Sequence, residues 1–112
     1  MEKVNMTRHI ALADILKAIA HPTRLLIAEE VAKKPRCVSE LTEMVGADTS
    51  TVSKHLSVMK NSGIVEGKKN GNQVFYSLRC PCILDFLGCI ESVLELNAKE
   101  NIALMNSLCS CK

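Results

Sequence analysis

Apolar residues recur at helical spacing along the first part of the chain. The pattern predicts one helix over residues 7–20, and a second that restarts after Pro22 and stops before Pro35. A short third helix follows, with Ser39 as a candidate cap and Gly46 at its end. The N-terminal part of the chain is therefore expected to be entirely helical.

A fourth helix is predicted from Asp48, a residue type that caps helix N-termini well. Its apolar residues Val52, Leu56 and Met59 are three or four positions apart and so share one face. Only a few residues, one of them a glycine, separate the third and fourth helices. This spacing is typical of a helix-turn-helix, here over residues 37–62.

The apolar period changes after residue 63. Residues 64–79 alternate in polarity and predict two short strands around a Lys-Lys-Asn-Gly-Asn turn. A helical pattern returns over residues 83–108 and weakens at Asn97. The predicted order is α-α-α-α-β-β-α in one domain, residues 1–112. We therefore expect a mainly α (α+β) fold, a winged helix-turn-helix with an additional C-terminal helix.

Composition narrows the class of protein. The chain has 112 residues, of which 47% are hydrophobic and 23% charged, as expected of one folded domain. No leader-like apolar segment begins the chain and no run of about 18 apolar residues occurs, so we expect a cytoplasmic protein that does not enter a membrane. In that reducing compartment, six cysteines indicate ligands or sensors rather than three disulfides.

Positive charge is concentrated in the middle of the chain. The formal net charge is +2, but residues 54–79 contain five Lys or Arg and one acid, Glu66, which gives +4 there and −2 elsewhere. A local basic region on a nearly neutral chain is typical of a surface that binds nucleic acid.

Three short motifs carry a family resemblance: "HPTR" at the start of the second helix, "VSKHL" in the fourth, and "GIV" with "YSL" in the hairpin. They resemble recurrent motifs of the ArsR/SmtB family of dimeric metal-sensing repressors, and the resemblance covers residues 8–79. It implies a homodimer held by the first and last helices. It also implies that the dimer binds a palindromic double-stranded operator DNA until an inducer releases it.

The fourth helix and the hairpin carry the residues expected to contact DNA. Short polar side chains at the first turns of a recognition helix reach base edges in the major groove, whereas basic residues on a hairpin contact phosphates or the minor groove. An ordinary solvated helix and a soluble turn are the alternative. The predicted DNA-binding residues are Thr49, Ser50, Ser53, Lys54, His55, Lys68, Lys69, Asn72 and Gln73.

Three cysteines follow the hairpin closely: Cys80, Cys82 and Cys89. Cys82 and Cys89 are seven residues apart, two helical turns, and share a face if the last helix includes Cys82. Pro81 bends the chain, so that Cys80 can fold toward that helix. Three thiolates without a histidine suit a trigonal soft ion, As(III) best, with Cd(II), Pb(II), Cu(I) and Zn(II) left open. Ordinary packing is the alternative, since cysteine is often buried.

The other cysteines are weaker candidates. Cys109 and Cys111 lie about 30 Å beyond Cys89 on a straight helix, so they join its site only if the chain turns back near Asn97 or a partner helix runs antiparallel. The family's arsenic, cadmium and lead sensors carry Cys-Val-Cys beside the helix-turn-helix. Here the sequence is "CVSEL", and the resemblance therefore implies that Cys37 is not a ligand.

Two other functions remain open. In one, the same repressor senses oxidants or reactive sulfur through a cross-link between Cys82 and Cys89. In the other, the chain is a cysteine-rich metal carrier or thiol oxidoreductase, although its motif is C-P-C rather than C-x-x-C. The sequence has no Gly-rich phosphate loop, no HExxH and no nucleophile paired with a base. We therefore predict that the protein is not an enzyme and has no small organic substrate.

Overall fold

Five helices and three strands make up residues 2–109, the part of the chain that the structure, a computed structural model, describes. This confirms the predicted mainly α winged helix-turn-helix and adds a two-residue strand that was not predicted. The elements are α1 (Thr7–Ile19), α2 (Pro22–Lys33), β1 (Arg36–Cys37), α3 (Val38–Val45), α4 (Thr49–Asn61), β2 (Val65–Asn70), β3 (Gln73–Leu78) and α5 (Cys82–Cys109).

Local side-chain contacts explain where the helices begin and end. The Nδ1 atom of His21 accepts a hydrogen bond from the Thr23 N–H at 3.1 Å, with Pro22 as the first residue of α2. α3 starts at Val38, two residues earlier than a cap at Ser39 requires, so the expectation that Ser39 caps it is wrong, and Cys37 occupies the capping position. α3 ends at Gly46, whose φ of +74° suits glycine.

The apolar core of the first unit lies between α1, α2, α3 and α4 and the start of β2. The three apolar residues that predicted the inner face of α4, Val52, Leu56 and Met59, are all fully buried. The remaining buried apolar side chains are Ala18, Ile19, Ile27, Ala28, Val31, Cys37, Leu41, Ile64 and Val65. This core fixes the orientation of α4.

A three-stranded antiparallel sheet, with β3 in the centre, forms the wing. β2 and β3 pair from Val65↔Leu78 to Asn70↔Gln73, so a two-residue turn, with Gly71 at φ +66°, connects them. The predicted five-residue turn was too long, because Lys68 and Lys69 belong to β2. β1 pairs with the other edge of β3.

Contacts divide the chain into two compact units, one that ends at Cys80 and one that begins at Pro81. The second unit consists mainly of α5, which continues without a break through Asn97. The alternative in which the chain turns back there is therefore wrong. None of the side chains of residues 82–107 is buried.

Candidate DNA-binding surface and cysteine positions

The first two turns of α4 present polar side chains opposite the buried face of the helix. Thr49, Ser50 and Lys54 are exposed and Ser53 is half-buried. The Asp48 carboxylate accepts hydrogen bonds from the Thr51 N–H at 2.9 Å and from the Ser50 hydroxyl at 3.3 Å. Asp48 therefore caps α4, as predicted. Hydrogen bonds from Thr51 hold the pKa of this carboxyl below its ordinary value.

His55 differs from the other predicted DNA-binding residues because its ring turns toward α2. Its Nδ1 atom accepts a hydrogen bond from the Arg24 Nε–H at 3.0 Å. Its ring centroid lies 4.5 Å from that of His21. Burial lowers the pKa of His55, and the neighbouring His21 and Arg24 lower it further. His55 therefore connects the recognition helix to the start of α2.

Arg24 is a residue of this surface that the sequence reasoning missed. Its Nη1 atom donates to the Ala18 carbonyl at 3.3 Å, in addition to the bond to His55. It lines a cleft of about 590 Å³ between α2 and α4. The motif "HPTR" could have identified it, because it places an arginine in the first turn of α2, after the capping histidine. The cleft is lined by Arg24, Thr51, Ser53, Lys54, His55, Ser57 and Val58.

The wing carries the remaining predicted DNA-binding residues. Lys68 and Lys69 lie on β2, where they pair with Phe75 and Val74 of β3. Asn72 lies in the turn and Gln73 begins β3. The side chains of Lys68, Lys69, Asn72 and Gln73 are all exposed. The surface of the first unit therefore contains every predicted DNA-binding residue, with His55 alone held inward by hydrogen bonding.

A buried arginine connects α2 to β1 and α3. Arg36 donates to both the backbone carbonyl and the carboxylate of Glu30, at 3.2 and 3.1 Å, and its Nη1 lies 3.8 Å from Glu40. Lys33 and Arg36 lower the pKa of Glu30. Charge pairing of this kind allows an arginine to be buried.

Cys37 lies next to this network and is buried. Its thiol and its N–H each donate to the Glu40 carboxylate at 3.4 Å, and these bonds lower the pKa of Glu40. Ser39, which occupies the second thiol position of the family's Cys-Val-Cys motif, is exposed on α3.

The predicted inducer cysteines lie near the boundary between the units and on α5. Cys80 ends the first unit, Cys82 begins α5, and Cys89 lies about two helical turns further on; all three are exposed. Cys109 is the last residue of α5, and Cys111 lies outside the described residues. Within residues 2–109, no group of three or more His, Cys, Asp or Glu side chains is arranged to hold a metal ion.

Comparison with known proteins identifies the family to which this chain belongs. Residues 21–67 match the model of the arsR family of bacterial regulatory proteins. The uncharacterized HTH-type transcriptional regulator Rv0081 of Mycobacterium tuberculosis is 32% identical over 97 residues, which cover 86% of this chain and 85% of the relative. The chain therefore belongs to the arsR family. It is a DNA-binding transcriptional regulator and not an enzyme.

Solved structures have the same fold. The crystal structure of Rv0081 superposes with a TM-score of 0.77 at 29% identity and covers 88% of this chain and 99% of that chain. The transcriptional repressor BigR from Xylella fastidiosa gives 0.68 at 30% identity, over 77% and 88% of the two chains. The homodimeric winged helix-turn-helix domain of Mb0332 from Mycobacterium bovis gives 0.69 at 22% identity, over 85% and 91%.

In the described part of the chain, no helix is long and apolar enough to cross a membrane.

Proposed function

We propose that the protein is a cytoplasmic, homodimeric repressor that binds a palindromic operator through α4 and the wing. The observation that carries this proposal is the polar face at the start of α4, which Val52, Leu56 and Met59 fix by packing into the core from the opposite side. Thr49, Ser50, Ser53 and Lys54 read base edges in the major groove. Lys68, Lys69, Asn72 and Gln73 contact the backbone or the minor groove.

Exposed apolar residues support a homodimer. In α1, Ile10, Leu12, Ile15 and Leu16 are exposed, and in α5 the exposed apolar residues extend from Phe86 to Met105. Soluble monomers rarely leave so many large apolar side chains of one helix in water. A second copy covers such faces symmetrically and places two α4 helices on one operator. The relative Mb0332 is described as homodimeric.

The proposed inducer is a thiophilic ion, with As(III) first and Cd(II), Pb(II), Cu(I) or Zn(II) as alternatives. The exposed thiols of Cys80, Cys82 and Cys89 support the proposal because soft thiolates select soft ions. Cys109 and Cys111 are secondary candidates. Cys37 is excluded from the proposed site because it is buried against Glu40.

The helical geometry limits how Cys82 and Cys89 can act. Seven residues of α-helix rise about 10 Å, and both side chains lean in the same direction. Two sulfurs bound to one ion at about 2.3 Å each lie at most ~4.6 Å apart. Because both residues lie in α5, one regular helix does not bring them to the same ion. We therefore propose that the site forms between subunits, or with Cys80 after the first turn of α5 opens.

Operator release tests this function directly. Fluorescence anisotropy of the reduced, metal-free protein on DNA from upstream of its own gene is expected to show tight, sequence-dependent binding that arsenite or cadmium abolishes. The variants Cys82→Ser and Cys89→Ser should keep the DNA affinity and lose the release, whereas Cys37→Ser should keep both. Normal release from the first two variants would show that the proposed ligands are wrong.

Thiol oxidation is a second candidate inducer, favoured by the exposure of Cys82 and Cys89. Disulfides require Cα atoms within about 7 Å, so the helical separation of these cysteines directs the cross-link between subunits. Peroxide in chelator-containing buffer would then release the operator and give a covalent dimer on non-reducing gels. Release by arsenite under anaerobic conditions, without such a dimer, would exclude this mechanism.

A further inference from the structure

The cleft between α2 and α4 has the chemistry of an anion site. Arg24 and Lys54 supply two positive charges, and Thr51, Ser53 and Ser57 supply hydroxyl groups. No carboxylate lines the cleft. Arginine is well suited to phosphate, since its planar guanidinium donates several hydrogen bonds. Three of the lining residues, Ser53, Lys54 and His55, were predicted from the sequence to contact DNA.

Two hydrogen bonds orient the Arg24 guanidinium at the edge of this cleft. Nε donates to His55 Nδ1 at 3.0 Å and Nη1 donates to the Ala18 carbonyl at 3.3 Å. A guanidinium has five N–H donors, so these bonds leave donors for a ligand. Arg24 is thus held in place before any ligand arrives, which reduces the entropy lost on binding.

His55 acts in this arrangement as an acceptor rather than as a reader of bases. Its Nδ1 is occupied by Arg24, and its ring is half-buried against His21. The acceptor role requires Nδ1 to be without a proton, and the lowered pKa of His55 agrees with this.

We propose that Arg24 and Lys54 together bind one backbone phosphate of the operator in the cleft between α2 and α4, and that His55 is the residue that positions Arg24. This inference rests on the proposed operator binding and deepens it by adding a contact from outside the helix-turn-helix. It also changes two roles: Lys54 becomes a phosphate contact instead of a base contact, and His55 becomes a positioning residue. The contact fixes the orientation of α4 on the duplex and carries no sequence information.

The variant Arg24→Gln tests the phosphate contact. We expect operator affinity to fall about tenfold, and the slope of log K against log salt to decrease by about 1. The loss should be similar on the operator and on a scrambled duplex, because a phosphate contact does not depend on sequence. Lys33→Gln is the matched control, since it removes one charge from an exposed position on the same helix and should leave the slope unchanged.

A pair of His55 variants tests the positioning role without removing a charge. The Oδ1 atom of Asn occupies nearly the position of His Nδ1, so His55→Asn should keep the Arg24 bond, the operator affinity and the salt slope. His55→Leu removes the acceptor and should reproduce the effect of Arg24→Gln. Thermal unfolding of both variants establishes that they fold. Equal losses of affinity in both, with altered sequence preference, would show that His55 reads bases and overturn the inference.

Inorganic phosphate distinguishes a DNA phosphate from a free anion. If phosphate competes with the operator more than chloride does at equal ionic strength, and Arg24→Gln removes this competition, the operator and the free ion share the cleft, as proposed. If phosphate binds the wild-type protein through Arg24 and leaves operator affinity unchanged, the cleft binds a free anion and the proposal is wrong. A wild-type protein that binds no operator would refute the proposed function itself. Specific wild-type binding that Arg24→Gln leaves unchanged would refute only this inference.

Discussion

The two units of the chain use their apolar residues in opposite ways. In the unit that ends at Cys80, most apolar residues of α2, α3 and α4 lie in a closed core, and Ile27 and Leu41 are entirely inaccessible. In α5, the described apolar side chains remain largely accessible, and Leu94 is 63% exposed. The first unit has a core of its own, whereas the apolar surface of α5 remains accessible in a single chain.

This difference separates two kinds of constraint on the sequence. Substitutions in the first core act on folding, because they remove contacts within one chain. Substitutions on α5 act on association, because its apolar residues contribute energy only when a second copy covers them.

The largest effect on the folding side is expected from Leu41→Ala. The side chain is 0% exposed, so the substitution removes a buried group and leaves a cavity. We expect the free energy of unfolding to fall by about 2–5 kcal/mol. Urea denaturation measures this directly. Met44→Ala on the same helix is the control, since Met44 is 42% exposed and should cost far less; equal losses would contradict the described core.

On the association side, Leu94→Glu is expected to weaken the dimer at least tenfold. The estimate follows from the loss of about 1.5–3 kcal/mol for a leucine that no longer becomes buried, with a charge added. Analytical ultracentrifugation across a concentration series measures the dimer constant, and Glu91→Gln is the exposed control on the same helix. A variant that stays dimeric would remove α5 from the interface.

A smaller loss of folding stability is expected from a substitution at the start of α4, in the first unit. Asp48→Ala removes the carboxylate that accepts the Thr51 N–H, and the free energy of unfolding should fall by about 1 kcal/mol. Asp48→Asn retains an acceptor and should recover most of the loss. Both are measured by urea denaturation. An Asn variant as unstable as the Ala variant would show that the charge, rather than the hydrogen bond, stabilises α4.

The smallest effect is a gradual loss of stability on acidification. The pKa of His55 is lower in the folded protein, so the unfolded chain takes up this proton first and stability falls as the pH drops below about 6.5. The carboxyls of Glu30, Glu40 and Asp48 also have lowered pKa values. Their contribution is present at neutral pH and is lost further down, as the pH falls below their ordinary values and through the folded ones.

Urea titrations at a series of pH values separate these two windows. His55→Asn should remove the decrease that starts near pH 6.5 and leave the acidic one. If the stability of the wild-type protein were constant between pH 7 and 5, the described environment of His55 would be wrong.

Local patterns in the sequence were sufficient to predict most of the fold. The spacing of Val52, Leu56 and Met59 predicted the inner face of α4, and Asp48 predicted its first turn. These features depend on neighbours within a few residues. β1 was missed because two residues show no period, and its partners Phe75 and Tyr76 are far along the chain.

The candidate site was predicted less completely, for the same reason. Residue type and position in the chain are sufficient to propose Lys54 and the wing residues as DNA contacts. The contact of His55 with Arg24, however, joins residues 31 positions apart and shows no local pattern. The seven-residue spacing also predicted that Cys82 and Cys89 share one face of the helix, but it did not take into account their separation along the helix axis. A face is an angular property of a helix, whereas binding one ion also depends on axial distance.

The short strand β1 connects the wing to α3. Its residues Arg36 and Cys37 pair with Tyr76 and Phe75 in the middle of β3, on the edge opposite β2, and Cys37 leads directly into α3. Only Lys69↔Val74 and Asn70↔Gln73 extend beyond these pairs. We therefore expect the last two β2–β3 pairs to be the most mobile part of the wing, and the middle of β3 to move together with the start of α3.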